Sequence, residues 1–423
     1  MTLERFDLKN PYRHVLGVAA LLVLVVAAAV VVVWSFAHTL ARNADTIQAS
    51  SFAATLSPLD PRARFAYAND LEKTFDLSAI DRSLSEYEDA VALTPHNFLY
   101  WLALGQARER AGERSAAETA YRRALELAPN YGQTEWALGN NLLRQGRVEE
   151  GIQLIREAVK SDPSFATPAV IAVMQVFDGD VERVSDALGE SPLAAAELSR
   201  YLVNEGRLDQ AVSVWDRLPA EAKISTLRAA GIAIRDKLID AKRFRDAVKV
   251  SSSVEADVTK HASVGSITNG GFEGGVAAQR AELFDWRVGQ SYPIYGLAEG
   301  QKKEGRYSLL VRFPTSTRLD FETISQTVAV EPGTSYELLL SYRSELSTRA
   351  EFRWEVVSAA SGERLTVSEP LTSGAGWQEV TLEFIVPSNS DGATIRLVRD
   401  NCDSPACNIV GSLWFDDFRV LRR

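Results

Sequence analysis

The pattern of apolar and polar positions divides the chain into four parts. Residues 15–36 are apolar, with no charged residue among them. From residue 64 to 250, apolar residues recur at intervals of three and four between Gly and Pro positions, which is typical of consecutive amphipathic helices. A serine-rich stretch follows, and from about residue 266 the period changes to two, which indicates strands separated by turns. We therefore expect a multidomain protein with one transmembrane helix, an all-α solenoid and an all-β sandwich.

The apolar stretch 15–36 has the length of a membrane span. A helix rises about 1.5 Å per residue, so these residues cover the hydrocarbon core of about 30 Å. The alternative is a cleaved signal peptide, for which Ser35-Phe36-Ala37 is a candidate cleavage site. The length of the stretch and the interfacial position of Trp34 favour a retained anchor.

The flanking cations predict the orientation of this anchor. Arg5, Lys9 and Arg13 precede the stretch, and only Arg42 follows it closely. Cations favour the cytoplasmic side, so the N-terminus is predicted to be cytoplasmic and the bulk of the chain extracytoplasmic, at a bacterial inner membrane. The predicted boundaries are 1–14 for the cytoplasmic N-terminus, 15–36 for the transmembrane helix, 37–63 for a juxtamembrane connector, 64–250 for helical repeats, 251–265 for a linker and 266–423 for the β-sandwich.

The helical region contains an internal repeat. Three pairs of residues recur after 34 positions, namely Gly105 and Gly139, Gly112 and Gly146, and Pro129 and Pro163. Residues 98–131 resemble the tetratricopeptide repeat through Trp101-x-x-Leu104-Gly105, Ala117, Tyr121, Ala124 and Pro129. Residues 132–165 are a weaker match, with Gly151 and Ile155 where the family prefers Ala and an aromatic residue. We expect about five helix pairs between residues 64 and 250.

The resemblance implies a groove that binds a protein partner, lined by the first helix of each pair. Gln106, Trp136 and Asn140 are the candidates for that groove. Trp136 and Asn140 are four residues apart and so lie on one helical face. The alternative for Trp136 is packing against the previous repeat.

The C-terminal region reads as about eight short strands without helical crossovers, which favours a two-sheet sandwich. The segments ITNGGFEGG at 267–275 and SLWFDDFRV at 412–420 open and close this region. Together with the strand segments between them, they resemble the jelly-roll carbohydrate-binding modules of the galactose-binding-like fold. The resemblance implies a polysaccharide as a ligand.

Sugar recognition requires flat aromatic surfaces together with polar groups. Trp286, Tyr292 and Tyr295 fall in an irregular early loop, where binding residues tend to lie. Trp354 lies in a strand, and alternation allows it to project from the sheet. These four residues are the predicted glycan contacts. Trp377 and Trp414, at the start of one strand and within the last, are expected in the core.

The resemblance to carbohydrate-binding modules also implies a structural calcium ion between the first and last strands. Its carboxylate ligands would be Glu273 and Asp416, with Asp417 as the weaker choice, because Ca²⁺ prefers oxygen ligands. The alternative is that these acids cap strand ends in water. No other cofactor is expected.

Net charge, cysteine content and the absence of catalytic motifs further limit what the protein can bind or catalyse. A formal net charge of −10 argues against nucleic acid, which requires a basic face. The two cysteines, Cys402 and Cys407, are predicted to form a disulfide if the domain lies in an oxidising compartment. Nucleophile-elbow, phosphate-loop and zinc motifs are absent from the sequence, so we expect no enzyme.

These patterns favour a membrane-anchored extracytoplasmic scaffold. Its repeats would bind a protein and its sandwich a glycan, in exopolysaccharide or cell-envelope assembly. One alternative is an assembly factor that binds only proteins and whose sandwich does not bind sugar. A polysaccharide-modifying enzyme is the least favoured alternative.

Overall fold

The protein is described from a computed structural model of the whole chain. The structure describes residues 11–42, 46–74, 76–257, 261–276, 284–289, 293–314, 323–348, 350–400 and 409–423. The chain divides into two compact units, residues 1–189 and residues 190–423. Within the described residues, the first unit contains only helices, whereas the second contains both helices and β-sheets.

The helices account for most of the chain up to residue 254. They are α1 (Pro11–Arg42), α2 (Ile47–Leu56), α3 (Pro61–Lys73), α4 (Ile80–Leu93), α5 (Phe98–Arg110), α6 (Arg114–Leu127), α7 (Gly132–Arg144), α8 (Val148–Ser161), α9 (Ala166–Val176), α10 (Val181–Leu188), α11 (Pro192–Asn204), α12 (Leu208–Asp216), α13 (Ala220–Ile224), α14 (Arg228–Asp240) and α15 (Phe244–Val254). In the described residues from 61 to 254, consecutive helices form six packed pairs, against the five expected.

Helix α1 is long and apolar enough to span a membrane. Its side chains from residue 14 to residue 36 are exposed, and burial begins at Ala37. Ala41 packs with Ala53 on α2 and Ala63 on α3, which are both fully buried. The last two turns of α1 therefore belong to the core of the first compact unit.

Small residues allow the paired helices to approach closely. A Cβ atom at Gly105 on α5 would lie 2.5 Å from the ring of Tyr121 on α6, so no side chain fits there. The Tyr121 side chain is fully buried in the space that the glycine leaves. The glycine and the tyrosine thus form a complementary pair at the contact between α5 and α6. Asn97 starts α5, since its side chain accepts a hydrogen bond from the Leu99 N–H.

The structure differs from the predicted boundaries at both ends of the helical region. The connector 37–63 contains α2, which packs between α1 and α3. At the other end, Ser251, Ser252 and Ser253 were assigned to the linker but belong to α15, and the Trp215 indole N–H donates to Ser253 Oγ at 3.0 Å. Their polar side chains suggested a linker. In the structure, the hydroxyl groups of Ser252 and Ser253 instead make hydrogen bonds within α15 or to segments packed against it.

The β-sandwich consists of nine strands within the described residues. They are β1 (Ile294–Ala298), β2 (Ser308–Phe313), β3 (Ser325–Ala329), β4 (Ser335–Ser347), β5 (Phe352–Ser358), β6 (Arg364–Val367), β7 (Gly374–Ile385), β8 (Gly392–Arg399) and β9 (Val410–Arg422). Five form a sheet in the order β1-β2-β9-β4-β7, and four form a sheet in the order β3-β8-β5-β6. All the described strand pairs are antiparallel, and the inward residues of both sheets form one apolar core.

Within the second compact unit, the sandwich contacts the last helix pair. The Asp391 carboxylate, just before β8, accepts hydrogen bonds from the backbone N–H groups of Phe244 (3.0 Å) and Arg245 (3.1 Å). These are the first two residues of α15, and the residue that precedes them, Arg243, provides no side-chain cap. The sandwich therefore supplies the cap of this helix and also places a negative charge at its positive end.

We predict that Gly392→Ala destabilises the second unit by about 1–3 kcal/mol, the usual effect of overpacking. A Cβ atom at Gly392 would lie 2.3 Å from the Phe244 ring. Equilibrium unfolding in urea, followed by circular dichroism, measures the loss. The matched control is Gly376→Ala on β7, where an added Cβ meets no atom within 4 Å. Equal stabilities of the two variants would contradict the prediction.

Candidate binding surfaces

The three predicted groove residues lie on the first helices of two neighbouring repeats. Gln106 on α5 and Asn140 on α7 are half-buried and occupy equivalent positions. The Asn140 side chain donates to the Trp136 carbonyl oxygen at 2.8 Å, within its own helix. The Trp136 ring stacks on Phe165 at 5.4 Å. Trp136 therefore packs on the residue that ends its own repeat, residues 132–165, and it leaves only part of its surface available to a partner.

A repeated polar contact links successive repeats in the first unit. In one repeat, the Tyr121 hydroxyl donates to Glu109 Oε2 (2.9 Å), and Arg144 from the next helix pair reaches Glu109 Oε1 (2.5 Å). In the preceding repeat, Tyr87 and Arg110 bind Glu72 in the same way. Burial, followed by the charge of the neighbouring glutamate, raises the pKa of each tyrosine well above its usual value.

This tyrosine–glutamate–arginine contact does not continue in the next repeat, because Ile155 stands where the tyrosine would be. Ile155 is buried and packs close to Gly139, with no hydroxyl group to bind an acid. The contact therefore joins only the earlier repeats, which is consistent with the weaker sequence match of residues 132–165.

The predicted glycan contacts Trp286 and Trp354 are in the core of the sandwich. Trp286 is 2% exposed and Trp354 is fully buried. Both rings pack against Phe418, at centroid distances of 4.6 Å and 5.0 Å. Strand alternation places Trp354 on the same inward face as Phe352, and Trp286 belongs to the same apolar core. The prediction that these two tryptophans contact a glycan is therefore wrong.

The structure describes only one of the remaining predicted residues, the two tyrosines and the two cysteines. Tyr295 lies on the edge strand β1 and is half-buried against the core, opposite Val311. Tyr292 lies outside the described residues, as do Cys402 and Cys407. A glycan contact by Tyr292 and the disulfide stay predictions.

The two predicted calcium ligands bind the same loop between β1 and β2. Glu273 Oε1 accepts from the N–H groups of Arg306 (2.7 Å) and Tyr307 (3.1 Å). Asp416 Oδ2 accepts from those of Lys303 (2.8 Å) and Glu304 (3.2 Å). Among the described residues, no group of three His, Cys, Asp or Glu side chains is arranged to hold a metal. These carboxylates have a role that needs no cation, and calcium binding stays a prediction.

The electrostatic environments of these two carboxyl groups differ. Hydrogen bonds from Tyr307 and then Arg306 lower the pKa of Glu273. For Asp416, 1% exposed, burial raises the pKa, and this outweighs the opposing effect of the backbone N–H donors. Ionised Glu273 therefore stabilises the fold, whereas ionisation of Asp416 is resisted by its surroundings.

The sequence reasoning missed a row of residues on the outer face of the five-stranded sheet. Trp414 on β9 pairs with Leu310 on β2 and Arg343 on β4, all on the face opposite the core. The Arg343 guanidinium lies 5.7 Å from the Trp414 ring centroid, and its Nη1 donates to Gln301 Oε1 at 2.8 Å. Trp377 on β7 points to the same side, because its neighbour Gln378 pairs with an inward residue.

Trp414 was expected in the core because it alternates with Phe418. A β-bulge breaks that alternation. Leu339 and Ser341 on β4 are two residues apart, whereas their partners on β9, Arg419 and Asp416, are three residues apart, so β9 has one extra residue. Asp417 in the bulge has a φ of 55°, a conformation that is uncommon outside glycine. Phe418 consequently points inward, whereas Trp414 points outward and is 9% exposed beneath Arg343.

Comparison with known families identifies the helical region. The model described as "Tetratricopeptide repeat" matches residues 39–179. This part of the chain is a tetratricopeptide-repeat array, a class of helical scaffold for protein interaction. The match starts within the predicted connector, in agreement with the packing of α2 on α3.

Similarity to individual proteins is more limited. Protein O-mannosyl-transferase TMTC1 of Mus musculus is 31% identical over 115 residues, which are 26% of this chain and only 12% of that protein. Among solved structures, the module TmCBM61 in complex with beta-1,4-galactotriose is 17% identical, with a TM-score of 0.27, 37% of this chain and 96% of that chain covered. MamA from Desulfovibrio magneticus RS-1 is 16% identical, with a TM-score of 0.32 and coverages of 41% and 96%. TM-scores below 0.5 carry no inference about function.

We predict that Tyr121→Phe lowers the stability of the first unit by about 1–2 kcal/mol, because it removes a hydrogen bond to a charged group. Urea unfolding followed by helical circular dichroism measures the change. Tyr131→Phe is the matched control, since the Tyr131 hydroxyl makes a longer contact of 3.3 Å to Gln133 at the surface. If the two variants lose the same stability, the inter-repeat contact has no special role.

We predict a pH-dependent contribution from Glu273. Its pKa is lower in the folded protein than its usual value of 4.5, so its stabilisation is complete above about pH 4.5 and is lost as the pH falls through the lowered pKa. Melting temperatures of wild type and Glu273→Gln should therefore converge in acid. Glu363→Gln, in the exposed turn before β6, is the control. A difference from wild type that persists unchanged in acid well below the lowered pKa refutes the prediction.

Proposed function

We propose that this protein is a membrane-anchored binding scaffold of the bacterial cell envelope. In this proposal the apolar stretch of α1 spans the inner membrane, residues 1–14 lie in the cytoplasm, and the chain from residue 37 onward lies on the opposite side. The repeats bind a protein partner and the sandwich binds a polysaccharide during exopolysaccharide or envelope assembly. The basic residues Arg5, Lys9 and Arg13, which precede the apolar stretch 15–36, support the orientation.

The single observation that carries the glycan part of the proposal is the outer-face row Trp377, Arg343 and Trp414. The Trp377 ring offers an apolar surface for a pyranose ring, and the Arg343 guanidinium, which lies over the largely buried Trp414 ring, offers donors for hydroxyl groups. Trp377 is half-buried, and Arg343 has 21% of its side chain exposed, so both present some surface to a ligand. Gln301 and Glu345 bind the same guanidinium and fix its position.

The second candidate function is a factor that binds only proteins. The contact between Asp391 and α15 favours it, because this contact gives the sandwich a structural role beside the helices. Arg245 on α15 adds an ion pair to Glu331 at 3.2 Å. In that case the sandwich stabilises the end of the helical region and binds no sugar.

Our proposal is of a binding protein rather than an enzyme. Many of the described acidic side chains pair with arginine or lysine or cap helices and loops, as Asp391 and Glu273 do. Catalysis by an acidic side chain usually requires it to gain or lose a proton, whereas a scaffold that only binds a partner does not require this.

A glycan array probed with the detergent-solubilised chain tests the proposal. We predict binding to at least one envelope polysaccharide, weakened about tenfold or more by Trp377→Ala or Arg343→Ala, since each removes a direct contact worth about 1.4 kcal/mol or more. Arg364→Ala is the matched control, because Arg364 is exposed on β6 of the other sheet.

The outcomes separate the two candidates. Absence of binding to every glycan favours the protein-only factor. Binding that survives both outer-face substitutions, or falls equally with Arg364→Ala, would contradict the proposed site. Circular dichroism of each variant verifies that the sandwich remains folded.

A further inference from the structure

Leu59 is the most exposed large apolar side chain among the described residues beyond α1, with a relative exposure of 78%. It lies in the tight turn between α2 and α3, which is closed by a hydrogen bond from the Asp60 N–H to the Ser57 carbonyl (3.0 Å). Pro58 has the preset φ that such turns favour. Arg64 Nε donates to the Pro58 carbonyl at 3.1 Å. The turn therefore holds Leu59 outward in a fixed position.

This turn is attached to the end of α1. His38 Nδ1 lies 2.9 Å from Asp60 Oδ2, and His38 Nε2 lies 3.2 Å from Arg62 Nη1. The His38 ring also stacks on Trp34, one helical turn earlier, at 5.2 Å. The turn thus lies level with the residues at which α1 changes from fully exposed to buried.

Helix α2 runs back along α1. Only residues 43–46 separate the two helices, which pack against each other, so α2 is antiparallel to the end of α1. Its ten residues cover about 15 Å in the direction of the apolar stretch of α1. Phe52 is on the outer face of α2 and has 52% of its surface exposed.

Four exposed apolar side chains consequently surround the point where the apolar stretch ends. We call this set the apolar collar, and its members are Trp34 (49% exposed), Phe36 (56%), Phe52 (52%) and Leu59 (78%). Single exposed apolar residues are common and need no explanation. A group that combines aromatic rings with an exposed arginine, Arg62, beside a spanning helix has the composition of a membrane–water interface.

We propose that the apolar collar inserts into the interfacial region of the lipid bilayer, so that α2 and its turn rest on the membrane. The ligand is the boundary between the headgroups and the acyl chains, about 5–10 Å deep. Arg62 then lies where lipid phosphates are. The proposal rests on the proposed function in one respect, since α1 has to span the membrane.

The test uses a fluorescent amino acid introduced by stop-codon suppression, which leaves both cysteines unchanged. It replaces Leu59, Val25 or Leu93 in separate full-length proteins reconstituted into phosphatidylcholine–phosphatidylglycerol vesicles. Nitroxide groups on the lipids, placed near the headgroup or near the end of the acyl chain, quench by proximity. Val25 reports on the span, and Leu93, 37% exposed on α4, is the matched control.

We expect the label at position 59 to lose about half of its emission with the shallow nitroxide, and the label at position 93 to lose almost none. The label at position 25 should be quenched most by the deep nitroxide. Quenching at 25 with equal, weak quenching at 59 and 93 overturns the proposal and leaves the anchor intact. Absence of quenching at 25 overturns the anchor and the proposal together.

Discussion

Close approach of helices at small residues is the constraint on which the helical part of this protein depends. Gly105 admits the Tyr121 ring, and Ala53 and Ala63 admit the end of α1. Each of these contacts brings two backbones together and buries a neighbouring large side chain, which stabilises the pair far more than its own helical propensity does. The same constraint explains why α1 ends inside the first unit instead of ending at the limit of its apolar stretch.

The helical architecture was largely predictable because its determinants are local. The recurrence of Gly112 and Pro129 after 34 residues marks the turns at which helices end, and the structure places helix pairs accordingly. The ends of the array were less predictable. The three serines 251–253 carry no periodic signal, yet tertiary contacts such as that from Trp215 to Ser253 keep them helical.

The sandwich was predictable as a fold but not as a site. Alternation predicted about eight strands, against nine among the described residues. Short strands such as β1 and β6, with four or five residues, offer too few positions to establish a period of two. The face of the sheet on which a tryptophan lies depends on the strand register. On β9, one extra residue near Asp417 reverses the faces on its two sides. The sequence wrongly predicted Trp286 and Trp354 at the surface and Trp414 in the core. The positions of bulges and the paths of loops decide on which side each of these residues lies, and neither can be read from the sequence.

The capping of α15 by Asp391 also has a consequence for the order of synthesis. The capping carboxylate lies 147 residues after Phe244 in the chain. At about 5–20 residues per second, the ribosome reaches Asp391 about 7–30 s after it has passed the start of the helix. During that interval the first turn of α15 has only water as a partner for its N–H groups. The final helix pair is thus completed after the sandwich has been made, so a chain truncated before residue 391 lacks a finished end to its helical region.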